Sequence, residues 1–176
     1  QRPNFLRAWI GAPGHVALLQ GESLRIGNAD PDVVYTIDPK TGAATRVSKL
    51  KTAFAAGGRA VVDFNPQADR LRLLGSSGIS YRVNVDDGAV ILDGMLKYDG
   101  KDTNAGRQPF VTAAAYTNAM PNAKGTELID LDLGARVLAL QSPPNDGVLQ
   151  SRGKLGSGIG PDAAFDILLD ANQDNI

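Results

Sequence analysis

The chain of 176 residues contains no cysteine. That absence excludes a disulfide framework, thiolate catalysis and any Cys-ligated zinc or iron–sulfur centre. One histidine, His15, excludes a multi-His metal site. It lies among Pro13, Gly14 and Val16 with no nucleophile motif beside it, and reads as a surface or packing residue. Charge of one sign is missing too. The 18 Lys and Arg against 19 Asp and Glu leave a formal net charge of -1, too small a field to gather nucleic acid or an anionic membrane surface. No stretch approaches the roughly 18 consecutive apolar residues of a membrane helix. No transmembrane segment of its own is therefore expected, and membrane association would be peripheral, through a partner. The opening QRPNFLRAWIGAPGH also lacks the long uncharged apolar centre of a signal peptide.

What is present is 20 glycines and 10 prolines set between short apolar runs, the texture of an all-β protein. The length suits one domain over residues 1–176, with residues 1–14 an irregular N-terminal segment. Three segments share a frame: YTIDPKTGAATRV from Tyr35, YRVNVDDGAVILD from Tyr81 and ELIDLDLGARVLAL from Glu127. In each, Asp38, Asn84 or Asp130 is followed four residues later by Gly-Ala, at Gly42, Gly88 and Gly134, an interval of 46 residues both times. Asp or Asn caps a turn and Gly accepts positive φ, so each segment reads as a hairpin, with the three glycines in equivalent turns. Upstream of the second hairpin, Val61–Phe64 and Arg70–Leu74 read as strands joined by Asn65-Pro66-Gln67-Ala68, giving four short strands per unit. The third unit starts with Val111–Thr117 and carries insertions at 98–108 and 142–147; a fourth opens with Ala163–Leu169. The expected fold is a β-propeller-like array of four-stranded antiparallel blades, three repeats of about 46 residues and a partial fourth, since such units bury their faces only by stacking.

The constellations that could carry chemistry are few. With Gly75 and Ile79 flanking the turn Ser76-Ser77-Gly78, Arg72 falls opposite Arg82, Arg70 opposite Asn84, and Leu71 and Leu73 opposite Val83 and Tyr81. Opposed cations need acceptors, and Asp63 and Asp69 are nearest in sequence. A structural carboxylate network is expected there, with an anion or sugar site as the alternative. Asp102 and Asp146 in the two inserted loops are the one carboxylate pair that could serve glycoside hydrolysis. Trp9, beside Phe5 and Ile10, is either an aromatic anchor for a partner or part of the core. Asp170, Asn172 and Asp174 alternate as the first ligands of a calcium loop do, without its Gly or its twelfth-position acid. A polar turn is the plainer reading; no cofactor is expected unless calcium binds there. LGSGIGP lacks the Lys-Ser/Thr of a phosphate-binding loop and reads as a connection.

VDFNPQADRLRLL, YRVNVDDGAV, DTNAGRQPFVTAAAYTN and QSPPNDG, ending near AAFDI, resemble in order and spacing a bacterial family of domains of unknown function numbered 4394 (DUF4394), over roughly residues 33 to 167. The resemblance implies a propeller-like all-β fold and an exported protein, in the periplasm, on the cell surface or secreted, often longer by further units. It implies no enzyme activity. Together with the missing nucleophile, it leads to the expectation of a noncatalytic interaction or structural module, a peripheral subunit of a larger assembly. The rival is a carbohydrate-active or small-anion-binding propeller using the rim carboxylates or the Arg72/Arg82 face.

Overall fold

The computed structural model describes residues 7–8, 18–19, 32–37, 41, 43–120, 123–160, 163–170, 172 and 174–176. Trp9, His15 and Gly42 lie outside them. Among the described residues thirteen strands run in order: β1 (Arg7–Ala8), β2 (Leu18–Leu19), β3 (Val33–Ile37), β4 (Ala44–Lys49), β5 (Ala60–Asn65), β6 (Arg70–Gly75), β7 (Ser80–Asn84), β8 (Ala89–Leu92), β9 (Lys97–Tyr98), β10 (Val111–Tyr116), β11 (Leu128–Asp132), β12 (Val137–Gln141) and β13 (Val148–Lys154). The described residues contain no α-helix, only a 3-10 turn at Pro144–Asp146. The fold is all-β, in open sheets of two to five strands ordered β1-β2, β3-β4, β5-β6-β7-β8 and β10-β11-β12-β13-β9. Part of the segment read as irregular is thus a strand, Arg7–Ala8, antiparallel to Leu18–Leu19.

Two compact units make up the chain: residues 1–54 with 82–91, and residues 55–81 with 92–176. In the first, Val33, Val34, Leu50, Val83 and Val85 are buried. The Ser48 hydroxyl donates to Val85 O at 2.6 Å, and Lys51 N donates to Gly88 O at 2.9 Å. Any side chain at Gly88 would be strained and crowded. Its φ is +71, and a Cβ would stand 1.8 Å from Lys49 O.

In the second unit, the core is the face of the five-stranded sheet carrying Tyr98, Val111, Ala114, Tyr116, Leu128, Val137, Ala139 and Leu149, closed by Val61 of β5 and Leu74 of β6. Every residue of β10 is buried, which accounts for the small-residue run Ala113-Ala114-Ala115 within it. The outer pairing of β9 with β13 is parallel, so this sheet is mixed rather than the expected antiparallel four.

Hairpin geometry corrects the glycine spacing. Asn65, Asn84 and Asp132 each end a strand and accept from the backbone N two residues on, at 2.9, 3.2 and 2.6 Å. The fourth residue after each, Asp69, Gly88 and Arg136, has φ of 48, 71 and 57°. These are one turn type, a capped loop closed by a left-handed residue. Gly134 precedes the left-handed position by two residues and does not have positive φ, so it is not the equivalent of Gly88. β11–β12 is also an inner hairpin of its sheet, whereas β7–β8 reaches an edge. The strand expected to open a fourth unit, Ala163–Leu169, is absent as such: among the described residues of that segment only Leu169 bridges, to Asn175.

Candidate functional site

Arg72 is the largest of the fully buried side chains, 2% exposed, although it sits in the alternating pattern Arg70-Leu71-Arg72-Leu73. Flanking Leu71 and Leu73 are also buried, so β6 is covered on both faces. A buried guanidinium must find acceptors for its N–H groups. Nε donates to the Tyr116 hydroxyl at 3.1 Å, Nη1 to Ser80 Oγ at 3.0 Å and to the Asp93 carboxylate, and Nη2 to Asn145 Oδ1 at 2.9 Å. The Asp93 side chain is 3% exposed, which makes this a buried ion pair.

Asp63 stands opposite Arg72 in the β5–β6 ladder. Its oxygens nevertheless go elsewhere: Oδ2 accepts from Tyr116 N and Oδ1 from Phe64 N, each at 2.7 Å. The expected carboxylate on Arg72 is therefore corrected from Asp63 to Asp93. The Asp63/Arg72 cross-strand pair instead grips Tyr116 at both ends, backbone N by one residue and phenol oxygen by the other. Burial pushes the Asp63 carboxyl up to about 7, against the pull of its two backbone donors and with help from the Asp166 carboxylate. Asp69 lies in the exposed left-handed turn. Arg82 is half-buried on β7.

The inserted-loop carboxylates have separate surroundings. Asp102 accepts from Ser151 N at 2.6 Å, Ser151 Oγ at 2.8 Å and Asn104 N at 2.8 Å. Asn104 Nδ2 returns to Ser151 Oγ at 3.0 Å, so the loop after β9 is stitched to β13. Burial raises the Asp102 carboxyl, but those donors outweigh it and hold the group below its ordinary value. Asp146 is exposed in the 3-10 turn. Asp132, not singled out by the sequence, is fully buried. It accepts from Phe110 N, Gly134 N and Ala135 N through Oδ1 and from the Tyr98 hydroxyl through Oδ2, at 2.5 Å. At the chain's end, Asp170 Oδ1 accepts from Asn172 N at 2.8 Å and Asp174 N at 2.9 Å, so that alternation forms a tight polar turn. Among the described residues no group of three or more His, Asp or Glu gathers as metal ligands would.

The family described as Domain of unknown function (DUF4394) matches residues 24–176. The chain belongs to the DUF4394 family. No curated protein and no solved structure matches it. The match begins before Val33 and runs past Ile167, beyond the extent of the recognisable motifs. Three of the DUF4394 motifs converge physically: VDFNPQADRLRLL supplies Asp63 and Arg72, DTNAGRQPFVTAAAYTN supplies Tyr116, and QSPPNDG supplies Asn145. Sequence reasoning missed Asp93 and Asn145, which are 21 and 73 residues from Arg72, because nothing local pairs them. The usable signal was that two inserted or turn-forming segments, Asp93-Gly94 and Ser142–Gly147, carry polar side chains next to glycines. These glycines permit close approach: a Cβ on Gly94 would lie 2.4 Å from Asp146 O.

Proposed function

We propose that this DUF4394 chain is a noncatalytic, exported β-propeller acting as a protein-interaction or structural module, a peripheral subunit of a larger assembly. One observation carries the architectural part. β5 and β10 each open their own meander, and they are joined directly by Tyr116 N donating to Asp63. First strands set side by side, with the face of one sheet resting on Val61 and Leu74 of the previous one, suit radial stacking of blades. The noncatalytic part is supported by Arg72, Asp93, Asp102 and Asp132, which spend their polar atoms on internal contacts.

Contact with a protein partner has an apolar surface to use. Leu92 is 62% and Met95 53% exposed, and Met95 Cε and Gln108 Nε2 crowd the turn glycine Gly78. Such a patch beside polar loops suits a protein interface. The described residues contain no helix long and apolar enough to cross a membrane. The test is the double variant Leu92→Asp/Met95→Asp, introduced into the source cells and followed by purification without denaturant. Loss of a stoichiometric partner with unchanged thermal stability supports the reading. Retention of the partner contradicts this surface, and turnover of a glycan contradicts the noncatalytic assignment. Export is tested on the full-length precursor: a cleaved leader and recovery outside the cytoplasm support it, and recovery from cytosol contradicts it.

A further inference from the structure

Asp130 lies at the middle of β11, 0% exposed, and among the described residues nothing donates a hydrogen bond to either of its oxygens. A buried ionised carboxylate without donors is among the least favourable groups a core can hold. Its strand partners in register are Ala114 of β10 and Ala139 of β12, neither of which offers a polar side chain. Gln141, two residues beyond Ala139, projects from the same face and is 1% exposed. Its Nε2 is committed to Pro144 O at 2.5 Å, whereas its Oε1 has no donor. Two acceptors that both lack donors thus sit on one covered face, diagonal to each other across neighbouring strands.

Three guests could reconcile them: water, a cation or a proton. These oxygens are sealed from bulk solvent, and an internal water would need further polar partners to hold it there. A metal ion would need several further oxygen ligands and would sit near a fixed cation, since Arg72 is the positive charge felt by Asp130. The Arg72 charge is already matched by Asp93, and the other charge near Asp130 is Asp132 of its own strand, which is negative. Tyr116 of β10 and Tyr98 of β9 are held by Arg72 and Asp132. The pull of Arg72 toward the ionised form is outweighed by burial, with Asp132 adding to the latter.

We propose that Asp130 is kept as a neutral carboxylic acid whose hydroxyl donates to the Gln141 carbonyl oxygen, a proton that ties β11 to β12 on the sheet face against which Val61 of β5 and Leu74 of β6 pack. Burial favours the neutral form in the same sense, lifting Asp130 well above the ordinary carboxyl range. Loss of the proton places a negative charge in the centre of the packed face, which loosens the sheet contact. The folded form binds this proton more tightly than the unfolded chain does. Its stabilisation is therefore complete at low pH and disappears as pH rises through the folded value.

The experiment is a carbon-detected NMR titration of the aspartate side-chain carboxyls in the intact chain. One carboxyl is expected to stay in its acid form after all others, Asp63 included, have ionised. Asp130→Asn, which retains a donor toward Gln141, should remove that signal and the alkaline limb of the stability profile. Gln141→Met should bring its ionisation to lower pH. Ionisation of every aspartate by neutral pH overturns the proposal, and so does one tightly held metal ion per chain that is lost in Asp130→Asn. The wild-type titration decides the matter even where a variant fails to fold.

Discussion

Replacing Asp93 by Ala leaves Arg72, 2% exposed, with a buried positive charge and only neutral acceptors. Breaking one side of a buried ion pair costs about 3–5 kcal/mol, because the remaining charge keeps its desolvation penalty without its partner. For a chain of this length, each kcal/mol corresponds to roughly 2–4 °C in melting temperature, so the expected drop is about 6–20 °C. Arg72→Met alone strands the buried Asp93 carboxylate in the same way and should cost a comparable amount. The double variant Arg72→Met/Asp93→Leu should recover much of the loss by replacing a charged pair with apolar volume. Thermal and urea unfolding of the four proteins gives the double-mutant cycle. A coupling of about 2 kcal/mol or more is expected for Arg72 with Asp93. The cycle of Arg72 with Asp63 should give a smaller value, because these ladder neighbours each bond Tyr116 rather than one another. Additivity for Arg72 and Asp93 together with strong coupling to Asp63 would refute the assignment of partners.

Three further outcomes follow from named geometry. Asp63, raised from 3.8 to about 7, contributes stability that is complete below the unfolded value and falls as pH climbs toward 7. Asp63→Asn should flatten that decline, at most about 1.4 kcal/mol per pH unit, in melting curves recorded across the window. Gly88→Ala should destabilise by more than about 2 kcal/mol, because the Cβ collides with Lys49 O in a left-handed turn, whereas Gly100→Ala, with open space around its Cα, should be neutral within about 0.5 kcal/mol. Asp102→Ala should loosen the loop between β9 and β10, read as new proteolytic cleavage within residues 99–110, while global stability changes little.

Local patterns carried much of the fold. Alternation in Arg70–Leu74 and the Asn65-Pro66 turn located β5 and β6 to within a residue, because strand period and turn chemistry act over a few neighbours. The same local logic misplaced the third turn. Gly134-Ala135 copies the Gly88-Ala89 dipeptide, yet the left-handed residue is Arg136, whose guanidinium donates to Gly156 O at 2.9 Å. A tertiary contact thus accompanies a conformation that costs an L-residue about 1 kcal/mol. The site was legible only as a need. A buried arginine calls for acceptors, but which carboxylate answers depends on loops closing from far along the chain, as Asp93 and Asn145 do. The repeat frame reads Asp130 as a turn-former, whereas its burial on an inner strand follows from sheet order, which no local pattern encodes.

The central claim is that this DUF4394 chain works by contact rather than by chemistry. The most direct test is the mass of the native protein isolated from its source cells without denaturant. A complex of fixed stoichiometry with a second protein is predicted. A free monomer that turns over a glycan would contradict the account.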